Sequence, residues 1–255
     1  MSDYNQLDLR YFLDDLGVMQ GDNLFIHSNI GYFGRCDGVL NSNHLCNIFL
    51  EELLNSVGNL GSIIVPTFTY SFQNNLVFDP IDKNTNMGFF SNHVLNNEKS
   101  IRTIDPAFSV AFISNRSDFF HLNYIENSFG VGSFFEYFDS INGKILNFNL
   151  DAGSTYLHYL ERVYKAPYRF DKSFTGYLAN DPIKKVNTIF VRDLQDNNSH
   201  VNFENFTSLA LKDKVYRTNS LGRGFGGIIT VQGCRDMFEN YYLLDNWFLT
   251  KKNDA

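Results

Sequence analysis

Between Asn23 and Pro66 the chain reads NLFIHSNIGYFGRCDGVLNSNHLCNIFLEELLNSVGNLGSIIVP, and this stretch decides the fold. Asn23 to Ser28 is a short, mostly apolar run that leads into a turn carrying Gly31 and Gly34, as a buried strand does. From Ser42 to Val57, Leu45, Ile48, Phe49, Glu52 and Leu53 recur at helical spacing, with Gly58 just past the end as a C-cap. Ser62 to Pro66 is a second apolar strand. Strand, helix and strand joined by short connections make a βαβ unit, which implies parallel pairing through a right-handed crossover.

Working outward, Leu7 to Leu16 has helical periodicity and stops before Gly17. Further strands are expected at Phe108–Ile113 and Lys144–Phe148, the second placed just before a helix that contains His158. Thr67 to Met87 is polar and irregular, and a connection that long carries function or covers a site. After Pro167 the pattern changes, with strands predicted at Thr188–Leu194 and Phe225–Val231 and helices at Phe203–Leu211 and Cys234–Leu249. The expected fold class is α/β, a mainly parallel central sheet flanked by helices with a smaller C-terminal α/β portion. Residues 1–255 read as one domain with a sub-lobe from about residue 170.

Composition bounds the function. The 255 residues are 44% hydrophobic and 19% charged, enough for one sizeable core. A net charge of −7 excludes a broad phosphate-backbone footprint, so nucleic acid is not expected as the partner. No run approaches about 18 uninterrupted apolar residues, so no membrane span is expected. The opening MSDYNQLDLRYFLDDLG lacks the basic and apolar parts of a secretory signal. Cys36, Cys46 and Cys234 are too few and too scattered for a zinc site or a disulfide framework and read as small buried hydrophobes. A cytoplasmic protein without a metal is the expectation. Abundant Phe and Tyr fit core packing, with a homo-oligomer interface or a stacking platform as their other uses.

Ligands of open parallel sheets bind at the carboxyl ends of the strands. His27 and Ser28 fall at the first such end, Thr67, Thr69 and Tyr70 at the second, and Asp151, Ser154 and His158 after the Lys144–Phe148 strand. His158 and Glu161 share a helix face, where a carboxylate can orient an imidazole as a general base, although such i,i+3 pairs are also ordinary helix neighbours. Ser28 and Thr67 read equally well as turn or capping groups. Phe129-Gly130-Val131-Gly132-Ser133 precedes a helical stretch and suits an anion, but it is neither standard nucleotide fingerprint. Arg102, Lys165, Arg169 and Lys172 are either phosphate contacts or solvated charges.

The order of these segments resembles the aminoglycoside 3-N-acetyltransferase-like acyltransferases. The resemblance lies in Gly21-Asp22-Asn23-Leu24-Phe25-Ile26-His27-Ser28, Gly61-Ser62-Ile63-Ile64-Val65-Pro66-Thr67-Phe68-Thr69, Phe78-Asp79-Pro80, Met87-Gly88, Phe129 to Ser133, Ser154-Thr155-Tyr156-Leu157-His158-Tyr159-Leu160-Glu161 and Leu221 to Gly224. Together these cover about residues 7 to 247. The resemblance implies transfer of an acyl group from acyl-CoA, as co-substrate, to an amine of a sugar-like acceptor. It places His158 near the reacting amine; the expected chemistry then makes His158 the catalytic base, held by Glu161 or Asp151, with Asp79 orienting the acceptor amine. The coenzyme A side is then expected at His27, Ser28, Gly31, Thr67, Ser109, Gly130, Gly132 and Ser133, with the Ser28 backbone or the Thr67 hydroxyl steadying the oxyanion.

Two departures steer the acceptor reading. The family's resistance enzymes read R-S-x-H-P where this chain has Arg102-Thr103-Ile104-Asp105-Pro106, and glycines where it has Asn147, Asn149 and Asp151. Val163 to Phe170 looks more like the branch that acylates nucleotide-linked amino sugars. The expected acceptor is therefore a nucleotide-linked, dTDP-type aminodideoxy sugar of surface polysaccharide biosynthesis, bound by Tyr70, Arg102, Asp105, Arg169 and Lys172. The alternative is an aminoglycoside, acylated in antibiotic resistance.

Overall fold

The structure is a computed structural model that describes residues 2–115 and 123–251. In chain order its elements are α1 (Gln6–Leu16), β1 (Asn23–Ser28), α2 (Ser42–Val57), β2 (Ser62–Pro66), α3 (Phe89–Leu95), β3 (Ile101–Arg102), β4 (Val110–Ser114), α4 (Phe134–Ser140) and β5 (Lys144–Phe148). There follow α5 (Tyr156–Val163), β6 (Arg169–Gly176), β7 (Lys185–Arg192), α6 (Phe203–Lys212), β8 (Arg217–Leu221), β9 (Gly224–Thr230) and α7 (Val231–Met237).

Local chemistry sets the ends of these elements. Asn5 caps α1 in a reciprocal box with Asp8, and Gly17 ends the helix at a φ of 85°, a conformation glycine adopts without penalty. Asn41 caps α2 through the His44 N–H. The two-residue loop Gly222-Arg223 joins β8 to β9, with Gly222 at a φ of 55°, so the late L-G-x-G is a hairpin turn.

Seven strands form one sheet in the order β3-β4-β2-β1-β5-β9-β8. The expected α/β architecture is present, but parallel pairing, expected through most of the sheet, is confined to the central trio, with β1 parallel to both β2 and β5. The flanking pairings are antiparallel. Parallel pairing needs a covering crossover, which α2 supplies between β1 and β2, whereas the β8–β9 connection is too short for anything but a hairpin. Strands β6 and β7 stand apart as a two-stranded antiparallel sheet.

Both faces of the central sheet are covered, which explains its unbroken apolar strands. Leu24, Ile26, Ile63, Val65, Leu146 and Phe148 pack under α1, α2 and α3. Phe25, Ile64 and Ile145 face the other way, where Phe25 meets Phe134, Phe135 and Phe138 of α4 with ring centroids 5.2–6.2 Å apart. The long helix expected over Cys234–Leu249 is broken. α7 ends at Met237, a π-type turn spans Phe238–Tyr242, and Leu243 and Leu244 are exposed, so that stretch offers no continuous apolar face.

Candidate active site

Helix α5 follows β5, so its first turn stands at the carboxyl end of the parallel trio. The Ser154 hydroxyl accepts the Tyr156 N–H and starts the helix, while the Thr155 side chain makes no cap. One turn on, His158 points Nδ1 at Glu161 Oε2, 2.5 Å away. Glu161 is fully buried; its Oε1 accepts the Tyr168 hydroxyl at 2.7 Å. Arg169 Nε lies 2.7 Å from Oε2, an ion pair without hydrogen-bond alignment. Burial alone would push the Glu161 carboxyl up, but His158, Arg169 and Tyr168 together hold it below the usual range. Burial and the Arg169 cation keep the His158 imidazole below its ordinary value, against the pull of Glu161. A neutral imidazole with Nδ1–H fixed on a carboxylate leaves Nε2 as its basic atom.

His158 retains 19% of its side-chain exposure and lines a cavity of about 650 Å³. The cavity wall includes Tyr70, Gln73, Phe108, Arg169, Lys172 and Phe190. Of the residues singled out in the sequence, the cavity gathers His158, Tyr70, Arg169 and Lys172, with Glu161 behind the imidazole. Sequence reading missed Gln73, Phe108, Phe190, Arg192 and Asp193. Phe190, Arg192 and Asp193 belong to β7 and its exit. The sequence marks a strand there, but the mixed charges of its partner Arg169–Gly176 give no strand signal, so the hairpin that forms part of the cavity wall is not legible.

Several expectations need correction. Asp151 does not touch His158: its carboxylate accepts the Gly153 N–H, and the orienting carboxylate is Glu161. Asp79 accepts the Ile81 N–H in its own turn and is not on the cavity wall. Arg102 is buried and donates to the Thr67 and Asp82 carbonyls and the Ser109 hydroxyl. Thr67 donates to Ser109, and Ser109 to the Thr67 carbonyl, so both hydroxyls are committed and Thr67 has none left for an oxyanion. Asp105 is buried too, with Oδ1 accepting from the Ala107 and Phe108 N–H groups, Ser128 and Asn187. In the Gly130–Ser133 turn, the Gly132 N–H is taken by Glu136 Oε2, the Gly130 and Ser133 N–H groups by backbone carbonyls, and the Ser133 hydroxyl caps α4. That turn is closed by its own chain and offers no phosphate cradle. Lys172 rests its ammonium 5.2 Å above the Phe174 ring.

A second opening lies beyond β1. Ser28, Gly31 and Tyr32 line a cleft of about 260 Å³ against Gly88–Phe90, and Gly31 also borders a neighbouring cleft of about 540 Å³ at Arg35 and the Asn41–Ser42 start of α2. His27 sits between the two sides of the sheet end, Nδ1 3.1 Å from Asn147 Oδ1, and burial pushes it down to about 4. Among the described residues no cluster of three or more His, Cys, Asp or Glu could hold a metal ion, and no helix is long and apolar enough to cross a membrane.

The sequence matches the family model described as aminoglycoside 3-N-acetyltransferase over residues 25–242. No curated protein matches it. Among solved structures, AAC-IIIb in a binary complex with CoASH superposes with a TM-score of 0.75 at 16% identity, covering 93% of this chain and 97% of that one. AAC-VIa bound to sisomicin gives 0.75 at 18% identity, covering 92% and 98%. The YokD protein from Bacillus subtilis gives 0.71 at 12%, covering 94% of each. These matches overturn the expectation of a nucleotide-linked sugar acceptor. The structure supplies a physical reason: of the cations read as phosphate contacts, Arg169 faces Glu161, Arg102 donates to backbone carbonyls and Lys172 lies over an aromatic ring. The chain belongs to the aminoglycoside 3-N-acetyltransferase family, and is an N-acyltransferase that acts on an amino group with acyl-CoA as co-substrate.

Proposed function

We propose that the protein transfers an acetyl group from acetyl-CoA to the 3-amino group of an aminoglycoside. The observation that carries the reading is the buried Glu161 aligned on His158 at the wall of a cavity large enough for a ring system, in a chain of this family. The amine nitrogen forms its bond to the thioester carbonyl carbon, and the C–S bond breaks. His158 Nε2 takes the proton that leaves the nitrogen and returns it to the departing thiolate, which balances the reaction as N-acetyl product and free thiol. Glu161 fixes the tautomer and stabilises the imidazolium that forms between those steps.

The clefts joined at Gly31 suit the co-substrate. Ser28–Tyr32 and Gly88–Phe90 line a narrow slot for the pantetheine arm. Arg35 and the N-terminus of the 16-residue α2 offer positive charge for its phosphates. Both clefts open, like the His158 cavity, beyond the carboxyl ends of parallel strands. The net charge of −7 favours encounter with a polycation.

Thiol release from acetyl-CoA, followed with purified protein and a panel of 2-deoxystreptamine aminoglycosides, tests the reading. Acceptor-dependent release with the acetyl group on the 3-amino nitrogen of the product supports it. Release that ignores the aminoglycoside, or acetylation of another nitrogen, rejects it.

A further inference from the structure

We infer that Arg169 is a positioning residue whose charge satisfies Glu161, so that His158 rests as a free base and not as the cationic half of an ion pair. The inference rests on the reading of His158 as the base and goes beyond it, because it concerns what keeps that base unprotonated.

A histidine facing a fully buried carboxylate at 2.5 Å has every electrostatic reason to hold a proton. An imidazole held that way is already used as a base before the amine arrives. Here Glu161 carries a second, permanent counter-charge. Arg169 Nε lies 2.7 Å from the same Oε2 that faces His158, and the arginine side chain is 5% exposed. Its guanidinium is anchored on β7, where Nη1 donates to the Phe190 carbonyl at 3.3 Å. Because Nε is not aligned as a hydrogen-bond donor to Glu161, the contact acts through charge. Arginine stays cationic throughout the working pH range. The resting cluster is then neutral overall, and the cation becomes a repulsive neighbour to any proton on His158.

The other groups around the imidazole do not replace this charge. Tyr168, from the turn before β6, donates to Glu161 Oε1 and remains neutral. Arg162, on α5 itself, is paired with Asp171 through both Nε and Nη2. Phe129 and Phe203 supply the flanking rings. Lys172, Arg192 and Asp193 lie on the wall of the same cavity. The direction of the His158 shift agrees: burial and Arg169 lower it, while Glu161 raises it.

The test titrates the imidazole itself. The His158 ring resonances, assigned by difference from His158→Asn, are followed against pH by NMR in the parent, Arg169→Gln and Arg169→Lys proteins. The parent is expected to hold His158 neutral at pH 7. Removing a like charge at this range should raise the midpoint by about one unit in Arg169→Gln, and lysine should restore it. The acid limb of kcat/KM should move up by the same amount, giving about a tenfold loss well below the midpoint and little loss at high pH. A midpoint that does not move, a loss equal at every pH, or a raised acceptor KM alone would overturn the inference; the last would make Arg169 an acceptor contact. If Arg169→Gln does not fold, a parent His158 protonated at pH 7 is enough to sink the idea. Failure to acetylate any aminoglycoside leaves this titration readable, so the two readings fail separately.

Discussion

Two buried arginine clusters stand at strand ends of this molecule, and they do different things with the same side chain. Arg102 is surrounded by carbonyls and hydroxyls, from Thr67, Asp82 and Ser109, and Thr67 and Ser109 are bonded to each other as well. Arg169 faces a carboxylate that it shares with an imidazole, and the imidazole opens onto a cavity. The first cluster is closed and holds the chain together. The second has one basic atom left over, His158 Nε2. Chemistry sits where a network of donors and acceptors is left incomplete on the side that faces a ligand.

Each half of that contrast can be broken separately. The largest expected effect is from His158→Asn, which should lower kcat by about 10²–10⁴-fold with an unchanged far-UV circular dichroism spectrum; a loss below tenfold would mean that the amine arrives neutral and needs no base. Arg102→Met should do the reverse. Buried carbonyls lose a charged donor, so urea unfolding should show a loss of about 3 kcal/mol, while kcat per folded molecule stays within about threefold. If its activity falls by orders of magnitude with stability intact, Arg102 is not the closed cluster described here.

His27 sharpens the comparison, being partly buried against Asn147 and not part of either cluster. Its native imidazole is pushed down to about 4 from an ordinary 6.5, with burial the first cause. Between those values the unfolded chain binds a proton that the native chain does not, so stability falls as pH falls through that window. His27→Gln should flatten that part of the stability–pH curve by on the order of 2 kcal/mol, read from urea midpoints at pH 7 and pH 4.5. An unchanged slope would remove His27 from the account. The smallest effect is expected at Ser133, whose hydroxyl caps α4. Ser133→Ala should cost about 1 kcal/mol and leave the KM for acetyl-CoA alone; a raised KM would restore the Gly130–Ser133 turn as a coenzyme A contact.

Much of the sheet was legible because its strands are continuous apolar runs with capped helices between them. The βαβ unit from Asn23 to Pro66 appears as read. The His158–Glu161 pair was legible as well, since helical spacing alone puts both on one face. What sequence reading could not show is which polar groups are already engaged. Thr67, Arg102 and Asp105 have the residue types of a binding site, and only their partners, among them groups 20 to 82 positions away along the chain, show them to be structural. The β6–β7 hairpin was half missed for a different reason: Arg169–Gly176 is mostly solvent-facing, so no apolar alternation marks it.

That hairpin links to the rest of the fold through backbone bonds at Thr188 to Glu126 and Ser128, and at Phe78 to its connecting loop. It carries the cation that faces Glu161 and, a few residues away, a large part of the cavity wall. If the cavity takes the acceptor and Arg169 sets the state of His158 as proposed, acceptor range and pH optimum are written on one short piece of chain. Descendants of this protein that drift toward a new acceptor by remodelling the hairpin will inherit a changed pH response with it, and selection on either trait will drag the other along.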